Sequence, residues 1–464
     1  MDWLQALISG HGARDTGHGA LAFAGAPWHL SPMTKSPAPA ATGSPPISKL
    51  QARVLALLLL AYVFNCLDRQ ILSILKIPIK AELGLSDTQL GLMGGIAFAS
   101  VYSTLAIPFA RYADRGRRVK VIATAVAVWS GFTALCGAAA NFWQLFAARM
   151  GVGIGEAGGV APSYALVADY FPPRSRARAL AIFSLGIPIG SALGLFFGGW
   201  IATALNWRWA FALIGLAGIP VALALWRFVP EPVRGGLDAI ERDTSEPGFF
   251  DVMKFLLTKP SFWLMSFGAA TASIGGYGLG FWLPSYFNTS LGLPLDQLGA
   301  YFGSVVLVGG MLGIYFGGWL GDRLGGARPA AYAIIPGVAF LLTAPLYVVA
   351  MFNQSLALGL ILFTLPYMLS LAWLGPVVNA VQNLVPPAMR ATASASMLLI
   401  NNLIGIGFGT FIFGYLSDQL RPTYGAESLR YAILYGLGFY VLAGVLMLAA
   451  STSLKRDWYR SAAA

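Results

Sequence analysis

Apolar residues along this chain come in long runs with few polar breaks. Twelve such runs are read near 52–76, 88–112, 119–140, 143–168, 176–204, 208–229, 260–290, 296–321, 329–351, 354–384, 390–418 and 428–453. Each is long enough to cross a hydrocarbon core of about 30 Å as a helix, which takes about 20 residues. Several are longer, which permits tilt. The pattern predicts an all-α polytopic membrane protein with 12 transmembrane helices. Its longest internal break, 230–259, carries Glu231, Arg234, Asp238, Glu241, Arg242, Asp243 and Glu246, and it separates six segments from six. The expected organisation is a disordered N-terminal tail (1–48), an N-terminal six-helix bundle (49–229), a cytoplasmic linker (230–259), a C-terminal six-helix bundle (260–453) and a cytoplasmic tail (454–464). Residues 1–32 are rich in Gly, Ala and His and lack the charged start and apolar core of a signal sequence. They read as a possible upstream-start extension, with Met33 as the alternative start.

Composition agrees with the pattern. The chain of 464 residues is 57% hydrophobic and 11% charged, against about 25% charged in ordinary globular proteins. So few charges cannot coat soluble domains. The net charge of +11 raises the question of nucleic acid, but its placement answers it. With the N-terminus inside, the internal loops and tails after Met33 hold 22 Lys and Arg and the external loops five: Lys76, Lys80, Arg208, Arg421 and Arg430. That bias is the positive-inside signature of membrane topology. It places both termini in the cytoplasm, expected in a bacterial inner membrane, and gives no reason to invoke nucleic acid. Cys66 and Cys136 lie inside apolar runs and read as small core residues. All three histidines (His11, His18, His29) precede Met33, so proton chemistry in the apolar body must use other groups. No metal-ligand spacing or nucleotide loop is found, so no cofactor and no enzyme activity are expected.

The two halves echo each other. Asp114-Arg115-Gly116-Arg117-Arg118 follows segment 2, and Gly318-x3-Asp322-Arg323-x-Gly325 follows segment 8, at an offset of 208 residues. Pro172-Pro173-Arg174-Ser175-Arg176 follows segment 4, and Pro386-Pro387-Ala388-Met389-Arg390 follows segment 10, at an offset of 214. Two echoes at nearly one spacing argue for duplicated six-helix halves. The Asp-Arg loop motif resembles that of major facilitator transporters. The first copy departs from it, with Ala110 in place of Gly and one residue fewer between Arg115 and Gly116. A narrower resemblance rests on Asn65-Cys66-Leu67-Asp68-Arg69, Arg149-x3-Gly153-x-Gly155-Glu156-Ala157, Ala161-Pro162-Ser163, Ala168-Asp169, Trp207-Arg208-Trp209-Ala210-Phe211 and Phe281-Trp282-Leu283-Pro284. Together these resemble the Spinster family, in the form of a bacterial homologue. That resemblance implies a proton-linked lipid carrier, since animal Spinster proteins move sphingosine-phosphate and lysophospholipids. It also implies a monomer, with segments 1, 4, 7 and 10 around a central cavity.

Charges deep in the apolar segments are costly, about 2.5–3.5 kcal/mol each on insertion scales. The deep set is small: Asp68 and Arg69 in segment 1, Arg149 and Glu156 in segment 4, and none in the second half. At about 1.5 Å per residue, Asp68 lies roughly 12 Å below the outer end, Arg149 about 9 Å and Glu156 about 20 Å. Seven residues separate Arg149 from Glu156, which puts both on one helical face. The four are expected to form a proton-coupling network. Asp68 is the main proton acceptor, paired to Arg69 or Arg149 in one state, and Glu156 is the second candidate. The alternative is a static ion-pair cluster. Arg149, Arg69 and Glu156 are also candidate headgroup contacts, since guanidinium binds phosphate or carboxylate bidentately; an internal Arg149–Glu156 pair is the competing reading. Phe281, Trp282, Tyr367 and Trp373 are candidate walls for an apolar tail, or ordinary packing aromatics. Asp114, Arg115, Asp169, Arg176, Asp322, Arg323 and Arg390 are read as a cytoplasmic gate, or as topology signal alone. The run Gly151, Gly153, Gly155, Gly158, Gly159 reads as helix packing rather than a phosphate loop. The expected function is proton-coupled transport of a lysophospholipid or sphingolipid-like molecule, with membrane lipids and protons as partners and the proton gradient as energy source. Export of drugs or organic anions, and a non-transporting sensor, are the alternatives.

Overall fold

A computed structural model describes residues 48–233, 248–326 and 328–459. All regular structure among the described residues is helical. The first half comprises α1 (Lys49–Leu83), α2 (Asp87–Gly94), α3 (Ile96–Arg115), α4 (Arg118–Cys136), α5 (Phe142–Ala157), α6 (Val160–Tyr170), α7 (Pro173–Ser184), α8 (Gly186–Ala204) and α9 (Trp207–Phe228). The second comprises α10 (Phe249–Leu257), α11 (Pro260–Leu291), α12 (Leu295–Gly325), α13 (Ala331–Phe352), α14 (Leu356–Leu371), α15 (Leu374–Asn383), α16 (Arg390–Tyr424), α17 (Ser428–Gly436) and α18 (Gly438–Asp457).

These helices make twelve membrane segments in two six-helix bundles. Among the described residues, nine helical stretches are long and apolar enough to cross a membrane, and the last, Pro387–Asp457, spans two predicted segments. Segments 4 and 7 complete the set as α5–α6 and α11. Five segments are broken: segment 2 between α2 and α3, segment 4 at Gly158 and Gly159, segment 5 at Leu185, segment 10 at Ala372 and Trp373, and segment 12 at Leu437. The breaks in segments 4 and 10 lie 214 residues apart, the same spacing as the second loop echo, so the duplication extends to helix geometry.

Local chemistry sets the ends. Ser48 and Ser86 form capping boxes with Gln51 and Gln89, satisfying otherwise orphaned donors. Gly84 ends α1 at φ 62°, a left-handed conformation that a side chain would strain. The α1 helix runs on through Pro78, so Lys76 and Lys80, read from sequence as loop charges, belong to the helix. Lys76 is only 1% exposed. The predicted linker contains α10, whose Val252 and Leu256 are buried while Phe250 and Leu257 stay exposed; its residues 234–247 lie outside the described set.

Small residues draw the helices together. A Cβ on Gly190 would lie 2.3 Å from the Val63 carbonyl oxygen, and one on Gly194 2.7 Å from that of Leu67. Segment 5 therefore packs backbone to backbone on segment 1. Gly151 and Gly155 meet Phe132 and Trp129 in the same way. The run in segment 4 packs helices, as expected, because small residues let backbones approach.

Contacts between the bundles gather at the predicted external end. Helix α8 packs along α12, and α2 packs against α16. The Asp418 carboxylate accepts from Thr88 N at 2.8 Å, Thr88 Oγ1 at 2.6 Å and Asp87 N at 3.3 Å. Ser417 Oγ donates to Asp87 at 2.8 Å, and Thr410 Oγ1 donates to the Gly91 carbonyl at 2.7 Å. An acidic side chain of one half thus caps the N-terminus of a helix in the other, where the macrodipole favours negative charge.

Candidate functional site

The four deep charges meet between segments 1 and 4. In this structure the ion pair of the cluster joins Arg69 to Glu156. Arg69, one residue past Asp68 on α1, donates from Nε to Glu156 Oε2 at 2.5 Å. Arg149 donates from Nη1 to the backbone oxygen of Asp68 at 3.2 Å. Asp68 is therefore paired through its carboxylate to neither arginine, and Arg149 does not pair with Glu156. The reason is geometric. Neighbours on a helix point about 100° apart, so Asp68 and Arg69 cannot aim at the same partner, and Arg69 faces the wall where Glu156 stands.

Burial is nearly complete. Asp68 and Glu156 are 0% exposed and Arg149 is 2%. The Arg69 side chain, at 26%, is the only one of the four with substantial access. Its guanidinium lies over Phe98 at 4.6 Å and Tyr102 at 4.7 Å, and these two rings stack on each other at 5.1 Å. Cation–π contact suits a planar guanidinium that is partly stripped of water. Buried polar atoms without a hydrogen bond of good geometry among the described residues include both Asp68 carboxylate oxygens, both amide atoms of Asn65, Thr133 Oγ1, Arg149 Nε and Glu156 Oε1, with Thr133 beside Asp68 and Asn65 beside Glu156. Native proteins satisfy most buried polar groups. A cluster with unused donors and acceptors has room to exchange partners.

The predicted wall aromatics divide into two pairs. Trp282 is buried, and its Nε1 donates to the Thr410 carbonyl at 2.8 Å. Phe281 sits against Gly94, and its carbonyl accepts from Lys76 Nζ. The Lys76 ammonium lies 4.8 Å from the Phe281 ring and 5.3 Å from that of Trp282. Both aromatics thus belong to the external junction between the halves. Tyr367 packs on Phe302 and near Gly309 in segments 10 and 8, and Trp373 is buried at the break of segment 10.

Most of the predicted gate residues with contacts brace their own half. Arg118, which the sequence reading did not select, forms an ion pair with Asp169. Arg176 donates to the carbonyls of Ala168 at 2.8 Å and Phe171 at 3.3 Å. Arg390 donates to the Gln382 carbonyl at 3.1 Å, and Arg323 lies 5.4 Å over Trp319. Arg115 and Asp322 are exposed. The Asp114 side chain lies outside the described set. Glu231, read only as a linker charge, accepts from Arg118 N at 2.7 Å and Val119 N at 3.0 Å and so caps α4.

Comparison with known proteins supplies the family. The Major Facilitator Superfamily model matches residues 58–410. A solved bacterial homologue of the human lysosomal transporter Spinster, in an inward-facing and unoccupied conformation, superposes with a TM-score of 0.82 at 31% identity, covering 90% of this chain and all of that one. This chain is a Spinster-type member of the Major Facilitator Superfamily. An MFS-type efflux pump of Mycolicibacterium smegmatis is 35% identical over 86% of this chain and 92% of its own. Protein spinster homolog 1 of Xenopus tropicalis is 28% identical over 88% and 82%. As a Spinster-type facilitator, the protein is an integral membrane secondary transporter that works by alternating access.

Proposed function

We propose that this transporter couples proton movement to passage of an amphipathic lipid, a lysophospholipid or sphingolipid-like molecule, across the bacterial inner membrane with both termini cytoplasmic. The observation that carries the reading is the Asp68 carboxyl, buried beside Arg149, which bonds only its backbone oxygen. A buried carboxyl without an ion pair is cheapest when neutral, and cheapest when charged once a guanidinium swings onto it. Arg149 needs only to move from the Asp68 backbone oxygen to its side chain to make that switch. Arg69 and Glu156 supply the second pair. Arg69, partly exposed, is the group best placed to take an anionic headgroup, and Glu156 would then be released to titrate.

The family resemblance and one relative's name lead to two readings. The Spinster likeness favours the lipid. The efflux-pump relative, with the higher sequence identity of the two, favours export of drugs or organic anions by the same switch, which is the second reading.

Flux in proteoliposomes under an imposed pH gradient tests the coupling. Asp68→Asn is expected to abolish gradient-driven uptake while leaving substrate exchange. Undiminished driven transport by that variant would overturn Asp68 as proton carrier. Thermal stabilisation by drugs and not by lysolipids would decide for the second reading.

A further inference from the structure

One cavity lies away from the charged cluster. It is a groove of about 510 Å³ on the other side of segment 4, bounded by α3, α4 and α5, within the usual 300–1,000 Å³ of ligand sites. Ile154, Gly155 and Gly158 line it, whereas Glu156 on the same segment turns toward Arg69. The remaining wall is largely apolar, with Phe109, Val121 and Val128 along it. Arg117 and Lys120 stand at one end. Eleven residues separate Arg117 from Val128, so the groove runs roughly 16 Å along α4. That is about half of a 30 Å hydrocarbon core.

The charge at the mouth is uncommitted. Arg117 and Lys120 are exposed and make no ion pair among the described residues. Two acids described beside the N-terminus of α4 are engaged elsewhere: Glu231 caps α4 and Asp169 pairs with Arg118. A basic rim over an apolar slot one leaflet deep matches one ligand chemistry, an anionic head on an acyl tail.

We propose that this groove holds a resident anionic phospholipid of the leaflet at the predicted cytoplasmic end, its phosphate on Arg117 and Lys120 and one tail along Val121, Val128 and Ile154. This lipid is bound, not transported, and the site shares no residue with the Asp68 cluster. Because segment 4 is broken at Gly158 and Gly159, the tail lies against the joint between α5 and α6. Its occupancy would therefore bias the helix that carries Arg149 and Glu156.

Native mass spectrometry of the purified full chain tests this with phosphatidylglycerol and phosphatidylcholine of identical acyl chains. The wild type is expected to retain one phosphatidylglycerol at least tenfold more tightly than phosphatidylcholine. Arg117→Ala with Lys120→Ala, both at exposed positions, should erase that preference. Arg227→Ala with Arg328→Ala, which removes equal charge from other predicted cytoplasmic positions, should keep it. Thr124→Trp, an exposed change that fills the slot, should reduce retention of both lipids. Equal retention of the two lipids by wild type, or an unchanged preference in the Arg117/Lys120 variant, would overturn the proposal. So would loss of the preference in Arg69→Gln instead, which would place the anion in the central cluster. None of these outcomes depends on what the protein transports.

Discussion

Closure of the predicted external end hangs on Asp418 more than on any other single side chain described there. Its carboxylate takes three donors from the first turn of α2, at 2.6, 2.8 and 3.3 Å. Hydrogen bonds to charged groups contribute about 1.5–3 kcal/mol each when buried. Asp418 is half-buried and the third bond is long, so about 2 kcal/mol in all is a fair figure for Asp418→Ala. Because these bonds join the two halves, that energy belongs to one state of the transport cycle and not to folding of either half. At 1.4 kcal/mol per tenfold, the balance should move about 30-fold toward opening at that end. Spin labels on the two halves near residues 84 and 425, in a background with Cys66 and Cys136 replaced, would report the distance distribution by pulsed electron resonance. The variant is expected to show a longer population, and Asp418→Asn, which keeps an acceptor, a smaller one. If Asp418→Ala leaves the distribution unchanged while its melting temperature falls as for an ordinary packing defect, the cap is structural and the reasoning fails.

Other consequences follow from the same geometry. Glu156→Gln strips Arg69 of its charged partner and should cost about 3 kcal/mol, read as a lower melting temperature. Adding Arg69→Gln should recover most of that loss, since the unpaired charge is gone. Gly190→Ala places a Cβ 2.3 Å from the Val63 carbonyl oxygen and should destabilise by about 1–3 kcal/mol. Gly318→Ala, with nothing within 4 Å of the new atom, should shift the melting temperature little and serves as its control. Leu256→Asp should free α10 from its seat and raise its rate of proteolytic cleavage, with transport-domain melting nearly unchanged.

Particular residues show how far the chain could be read before folding. The twelve segments, the duplication and the helix-packing role of the glycine run followed from periodicity and spacing. The four deep charges could be picked out because burying a charge in hydrocarbon is expensive enough to make each one conspicuous. Their partners could not. Arg69 and Arg149 stood at similar distances from both carboxylates on a straight-helix estimate, and an error of one helical position, about 100° of rotation, changes the partner. Lys76 was misread for a related reason: a lysine near a segment end looks like a topology label until the helix is seen to continue past Pro78 and carry it between the halves.

Composition and pattern alone determined that this chain is a twelve-helix membrane protein with acids and arginines held deep in its first half only. That information is local, since an apolar run of 20 residues has few ways to satisfy its backbone outside a membrane helix. Only the tertiary structure decided that Arg69 takes Glu156, that Asp68 is left without an ion pair, that Asp418 caps a helix of the other half and that Phe281 and Trp282 close the external junction. Those outcomes depend on helix rotation and on contacts between residues 81 to 331 apart in sequence, which hydrophobic pattern leaves open. The same physics that makes a membrane helix easy to recognise, its uniform apolar surface, is what hides which face it turns to its neighbours.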